Sequence, residues 1–142
     1  MFVADSFEGL PPPDAGAWPR DKGDTSYQRT ALAIGLEEVK GHFRDFHLLS
    51  DNIVFVKSFF EQSLQTAGID RLAVLRLDGD MYGSTMTVLE QLCHKLEIGG
   101  YLILDDWLIG GARQALLDFR TRRGIEETMN QDFSGIFWKR TA

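Results

Sequence analysis

Apolar residues in this chain follow two rhythms: short unbroken runs, and longer stretches in which they return every three or four positions. The clearest run is Leu72-Ala-Val-Leu-Arg-Leu77, which has the length of a strand rather than of a helix. It ends on Asp78-Gly79-Asp80, and at about Tyr82 the period changes. Met86, Leu89, Leu92, Cys93 and Leu96 then predict a helix that Gly99-Gly100 stops. The scheme repeats at once: Tyr101 to Leu104 reads as a strand ending on Asp105-Asp106, Gly110-Gly111 as a tight passage, and Ala112 to Arg122 as a helix.

Upstream, Phe2 to Ala4 is a short strand that ends at Asp5. A long loop follows to about Asp24, because the consecutive prolines Pro11-Pro12-Pro13 exclude both helix and sheet. Trp18 in this loop is either a lid that meets a substrate or a cover for the edge of the core. Leu32, Ile34, Leu36, Val39, Phe43 and Phe46 predict one amphipathic helix across Ser26–Phe46, kinked at Gly35. Ile53 to Val56 is a second strand, and Lys57 to Leu64 a loop passing into a short helix. Two more strands, at Ile125–Met129 and Phe133–Arg140, close the chain. Strands that alternate with helices and then follow one another predict an α/β sandwich, its parallel sheet finished by an antiparallel strand.

Composition narrows the possibilities. A chain of 142 residues, 44% hydrophobic, supports one domain with a real core, here 1–142. The net charge of −6 leaves no basic face for phosphates, so no nucleic-acid partner is expected. No apolar run is long enough to span a bilayer, and the expectation is a cytoplasmic protein with no membrane partner. Cys93 is the only cysteine, which excludes an internal disulfide and reads as a core thiol. His42 and His47 read as solvated residues near a helix end.

The candidate chemistry lies at the strand ends. Open parallel sheets build ligand sites at the carboxyl ends of their strands, and two neighbouring strands here would bring Asp78, Asp80, Asp105 and Asp106 to one edge. Four carboxylates at close range repel one another unless a cation sits among them or one is protonated, which points to a divalent metal. Phe59 and Phe60 sit just past the second strand, where aromatic rings can form an adenine pocket, although core packing explains at least one of them. Two rival readings exist. Asp78-Gly79-Asp80 after an apolar strand also fits a haloacid-dehalogenase-type phosphatase with Asp78 as nucleophile, although Tyr82 stands where that motif carries threonine or valine. The other rival is a non-catalytic protein that binds a partner through an exposed sheet edge.

Several strings carry a family resemblance: Val3-Ala-Asp-Ser-Phe-Glu-Gly-Leu-Pro-Pro-Pro-Asp14, Leu36-Glu-Glu-Val39, Arg71-Leu-Ala-Val-Leu-Arg-Leu-Asp-Gly-Asp-Met-Tyr82, Leu104-Asp-Asp106, Arg113-Gln-Ala115 and Asp118-Phe-Arg120. Across nearly its whole length the chain resembles the macrocin O-methyltransferases, which methylate sugar hydroxyls of macrolide and aminocoumarin antibiotics using S-adenosylmethionine and magnesium. The resemblance implies a Rossmann-like class I methyltransferase fold, a three-layer α/β sandwich with an antiparallel C-terminal strand. It implies Asp78, Asp105 and Asp106 as magnesium ligands, Asp80 with Asp78 as catalytic carboxylates, and a small glycosylated molecule as substrate for a homo-oligomer. It also implies Asp5, with Ser6 beside it, at the cofactor ribose, Ser58 and Phe59 near the adenine, and Asp78 in contact with the cofactor. The departure from the family lies at the front. The first βα unit and its glycine-rich loop are lacking, and in the family that strand is central, so its loss predicts two unpaired strand edges in mid-sheet. An inactive fragment is the alternative that follows.

Overall fold

Which side of each strand faces the core follows from the alternation of its side chains. The computed structural model describes residues 1–142. Its elements run β1 (Phe2–Asp5), α1 (Leu36–Asp45), β2 (Val54–Lys57), α2 (Phe60–Ser63), β3 (Leu72–Leu77), α3 (Tyr82–Leu92), β4 (Leu96–Leu104), α4 (Gly110–Arg123), β5 (Asn130–Gln131) and β6 (Ile136–Lys139). Leu75 and Leu77 of β3, Leu102 and Leu104 of β4, and Ile136 and Trp138 of β6 stand in register on one face and are buried. Helices α3 and α4 supply the other half of this core through Met86, Leu89, Leu92, Ala112, Ala115 and Leu116. The opposite face of the same strands carries Val74, Arg76 and Tyr101 and is open to solvent, with Val74 51% and Tyr101 40% exposed.

The strands fall into two sheets that share no ladder. β1 pairs with β2 in parallel, and separately β3, β4, β6 and β5 lie in that order. β3 and β4 run parallel, whereas β6 is antiparallel to β4 and β5 antiparallel to β6. The expected pair of unpaired edges in mid-sheet is therefore present: β1 and β3 each have a single strand neighbour. Between them lies a cleft of about 860 Å³ whose lining residues include Val3, Ala4, Val74 and Leu75. On the far side of β1, Phe55 of β2 meets Phe43 of α1 edge-on at 5.6 Å, which fixes that helix on the smaller sheet.

Four expected elements differ in extent. The helix expected over Ser26–Phe46 is two 3₁₀ turns, Ser26–Gln28 and Thr30–Leu32, followed by α1 alone. Gly35 is the N-cap residue of α1, with extended backbone, and so begins that helix instead of kinking a longer one. Gly99-Gly100 does not end a helix. Helix α3 finishes at Leu92 in a 3₁₀ turn, and both glycines lie within β4, where the register to β3 shifts. A Cβ on Gly100 would stand 2.7 Å from the Ala73 carbonyl oxygen, so close strand approach is what requires a glycine there. The residues Ile125–Met129, expected as a strand, form none; a two-residue strand follows them at Asn130–Gln131, and the last strand shrinks to Ile136–Lys139.

No helix of the chain is long and apolar enough to cross a membrane. Cys93 is half-buried against the core, where burial pushes its thiol pKa up, and His42 and His47 are exposed.

Candidate active site

The carboxyl ends of β1 and β3 open on the same side. Asp5, Ser6, Phe59, Phe60, Asp78 and Gly79 line one small hollow there, which shares Asp5, Phe60, Asp78 and Gly79 with the larger cleft. Four of the five residues expected at a cofactor, namely Asp5, Ser6, Phe59 and Asp78, thus meet at one place. The fifth, Ser58, does not line it: its hydroxyl donates to Gln62 Oε1 at 2.9 Å. Asp5 Oδ1 accepts the Phe7 N–H at 2.5 Å, while the Ser6 hydroxyl donates to the Gly9 carbonyl at 2.6 Å. These bonds turn the chain sharply out of β1, and Phe7 itself takes a left-handed backbone with φ 56°.

The four acids of β3 and β4 sit together, but their countercharge in this structure is an arginine. Arg76, two positions before Asp78 in β3, donates to Asp78 Oδ2 at 3.0 Å and also to Asp105 Oδ2. Asp106 Oδ2 accepts the backbone N–H of Asp80 at 3.0 Å, tying the end of β4 to the turn after β3. Asp80 has φ 56°, a left-handed conformation that costs on the order of 1 kcal/mol for a residue with a side chain and recurs at functional sites. No three His, Cys, Asp or Glu side chains converge as a metal cage in this arrangement. The donor set itself suits a hard cation, being all carboxylate oxygen with charge to spare. Two of these carboxyls are shifted upwards, chiefly by burial. Burial, and then repulsion by Asp106 and Asp78, lift the Asp80 carboxyl from 3.8 to about 6. Burial also raises Asp106, against the hydrogen bonds that its carboxylate accepts.

The long loop after β1 is anchored beside these acids. Asp21 is buried, and its two carboxylate oxygens accept the backbone N–H groups of Tyr82 and Gly83 at 2.9 and 2.8 Å. Trp18 packs on Tyr82 with ring centroids 5.9 Å apart, and Arg20 bridges to Asp118 of α4 at 3.1 Å. Of the two roles open to Trp18, this structure assigns it to covering the core edge. Sequence reasoning missed both Arg76 and Asp21. The first was findable, since the period of two places Arg76 and Asp78 on one side of the strand. For Asp21 no local signal exists.

Comparison with known proteins defines the class first. The fold matches the O-methyltransferase NovP with a TM-score of 0.94 at 37% identity, over 99% of this chain and 60% of that one. It also matches the calicheamicin methyltransferase CalS11 with a TM-score of 0.70 at 19% identity, a likeness of fold alone. The fold is therefore that of a Rossmann-like methyltransferase, part of its sheet absent. The family model for macrocin O-methyltransferase matches residues 1–140, and the chain belongs to that family. Among curated relatives, a tetracenomycin-C 4′-O-methyltransferase of Streptomyces olivaceus, named for its dimethoxy-rhamnosyl acceptor, is 40% identical over the whole chain. A mycinamicin III 3″-O-methyltransferase of Micromonospora griseorubida is 38% identical. The chain spans 55% and 58% of the lengths of these two relatives. Family membership displaces the phosphatase reading of Asp78-Gly79-Asp80.

Proposed function

We propose that this chain carries the acid-bearing part of an S-adenosylmethionine-dependent, magnesium-assisted O-methyltransferase acting on a sugar hydroxyl of a glycosylated natural product. The observation that carries this reading is the meeting of Asp5, Ser6, Phe59 and Asp78 at one hollow beside the Asp80–Asp106 pair. The rhamnosyl acceptor in the name of the Streptomyces olivaceus relative supports a sugar as the substrate class.

The roles follow from the chemistry of each side chain. Asp5, at the end of β1, would receive the ribose hydroxyls of the cofactor, while Phe59 and Phe60 offer ring faces to its adenine. Asp78, Asp105 and Asp106 are the residues that would hold magnesium, and Arg76 would give up its two carboxylates to it. S-adenosylmethionine supplies a methyl group on a sulfonium sulfur, and magnesium makes a neighbouring hydroxyl more acidic. Asp80, lifted to about 6, is ionised at neutral pH yet basic enough to take the hydroxyl proton as the oxygen attacks the methyl carbon. With the cofactor bound, the carboxylate of Asp80 would keep the hydroxyl proton on Oδ1 or Oδ2. Holding oxygen, carbon and sulfur in line is then the main requirement.

Titration calorimetry with S-adenosylmethionine, with and without magnesium chloride, tests the reading. The expected result is saturable cofactor binding that Asp5→Ala weakens about tenfold or more, the loss of one charge-assisted contact. A second reading, a non-catalytic methyltransferase-like subunit, is favoured by the open cleft between β1 and β3. It gains support if the chain binds neither cofactor nor metal.

A further inference from the structure

We propose that a second cavity, at the end of the sheet away from the acids, is a binding site for a small carboxylic acid built on one apolar ring. Leu96, which begins β4, lines it, whereas Asp105 follows the last residue of that strand, so the nine residues of β4 separate the cavity from the acids. Its volume is about 230 Å³, and its apolar lining includes Leu89 of α3, Leu96 of β4, Phe119 of α4 and Trp138 of β6. Sites for drug-sized ligands span about 300–1,000 Å³, so this one has room for a molecule of about one ring.

The charge of the occupant follows from three arginines that have no ion pair. Arg123 lies over the Phe119 ring at 5.7 Å and lines the cavity, its guanidinium donating to no other group. Arg140 also lines it. Its Nε donates to the Ala142 carbonyl at 2.7 Å and its Nη1 to the carbonyls of His94 and Leu96, which leaves Nη2 without a partner. Behind the wall, Arg120 is buried on the Trp138 ring at 4.5 Å and donates from Nη2 to the Glu127 carbonyl at 2.6 Å. Its Nη1 is buried and unpaired, and burial lowers its pKa, as expected of a cation that lacks a countercharge.

The two acids on the cavity wall are already engaged. Glu90 pairs with Arg122 at 3.1 Å, and the Glu127 carboxylate accepts the backbone N–H and the hydroxyl of Thr141 at 3.1 and 3.2 Å. The groups left with bonding capacity are therefore guanidinium donors, whose planar N–H groups match a carboxylate. A neutral ring would fill the apolar space and leave Arg123 and the Arg140 Nη2 unanswered. A cation would meet like charge. An apolar ring that carries one carboxylate satisfies both halves of the wall.

Cys93 supplies the readout, because it lines the cavity and is the only cysteine of the chain. Its alkylation by iodoacetamide is followed by mass spectrometry in the presence of 4-nitrobenzoate or of 4-nitrobenzamide, which has nearly the same shape and no charge. The expected result is saturable protection by the benzoate, slowing alkylation about fivefold or more, and less than twofold slowing by the amide at the same concentration. Arg123 is exposed at the end of α4, so Arg123→Gln keeps the melting temperature of the parent and is expected to bind the benzoate about tenfold more weakly. Equal protection by the two compounds, no protection by either, or unchanged protection in Arg123→Gln overturns the proposal. Asp5, Asp78 and Asp80 take no part in this site, so its failure leaves the methyltransferase reading to its own calorimetric test.

Discussion

The carboxylate of Asp21 accepts the backbone N–H of Gly83 at 2.8 Å across 62 positions of sequence. The first turn of α3 has N–H groups without helical partners, and a buried carboxylate at that end both satisfies them and complements the helix dipole. Asp21 thereby holds the end of the proline-rich loop against the turn that contains Asp78, Gly79 and Asp80. The loop is long and poor in regular structure, so this contact does for it what a strand ladder does elsewhere.

Replacing Asp21 with alanine leaves two N–H groups without their partner, that of Gly83 buried and that of Tyr82 partly so. The expected cost is about 1–3 kcal/mol, seen as a lower urea midpoint. Asp21→Asn keeps one acceptor oxygen and is expected to recover part of the loss.

Gly83→Ala acts on the same loop from the other side. A Cβ there would overlap the Trp18 ring and stand 2.8 Å from Asp21 Oδ2, so the loop must move. The expected cost is again about 1–3 kcal/mol, with a red shift in Trp18 emission read against a Trp18→Phe control. Because both substitutions release one contact, the double variant is expected to lose less than the sum of the two.

Arg76 donates to both Asp78 and Asp105, the carboxylates that the proposed function gives to magnesium. Arg76→Gln removes the competing charge and is expected to tighten magnesium binding several-fold, about 1 kcal/mol, measured by calorimetry. Unchanged affinity would show that the two carboxylates face the metal without competition.

Asp80 gives the fold a signed pH dependence. Its pKa is raised from 3.8 to about 6, so between about pH 4 and 6 the folded chain holds a proton that the unfolded chain has lost. Stability contributed by this group is therefore present below about pH 4, falls as pH rises through that window, and is level above about pH 6. After discounting for solvent screening, the change is on the order of 1 kcal/mol. Asp80→Asn abolishes it and keeps the left-handed backbone, which asparagine tolerates. Urea titrations of both proteins at pH 4.5 and 7, with a chelator present, are expected to differ by that amount.

Much of this was legible in the sequence because two physical signals are strong. Period-two and period-three-to-four patterns separate β3 from α3, and the acids that end two strands of one sheet were legible as neighbours at one edge. The split sheet was legible too, because the first strand lacks the neighbour that its family places beside it. What failed depended on distant contacts. Gly99-Gly100 looks like a helix stop, and only the approach of Ala73 reveals a strand glycine. The apolar residues of Ser26–Phe46 keep helical spacing, yet Leu32 and Ile34 line the cleft from 3₁₀ turns and irregular backbone. Ser58 has the right neighbours in sequence and the wrong orientation, its hydroxyl drawn to Gln62. Phe60 adds its ring to both cleft and core.

The account rests on the acids at the ends of β3 and β4 serving a dication. Manganese binding followed by electron paramagnetic resonance, with Mn²⁺ in place of magnesium, tests this most directly on the parent chain and on Asp105→Asn and Asp106→Asn. One bound ion in the parent, with affinity about tenfold or more weaker in each variant, is the predicted result. Equal affinity in all three proteins would contradict it.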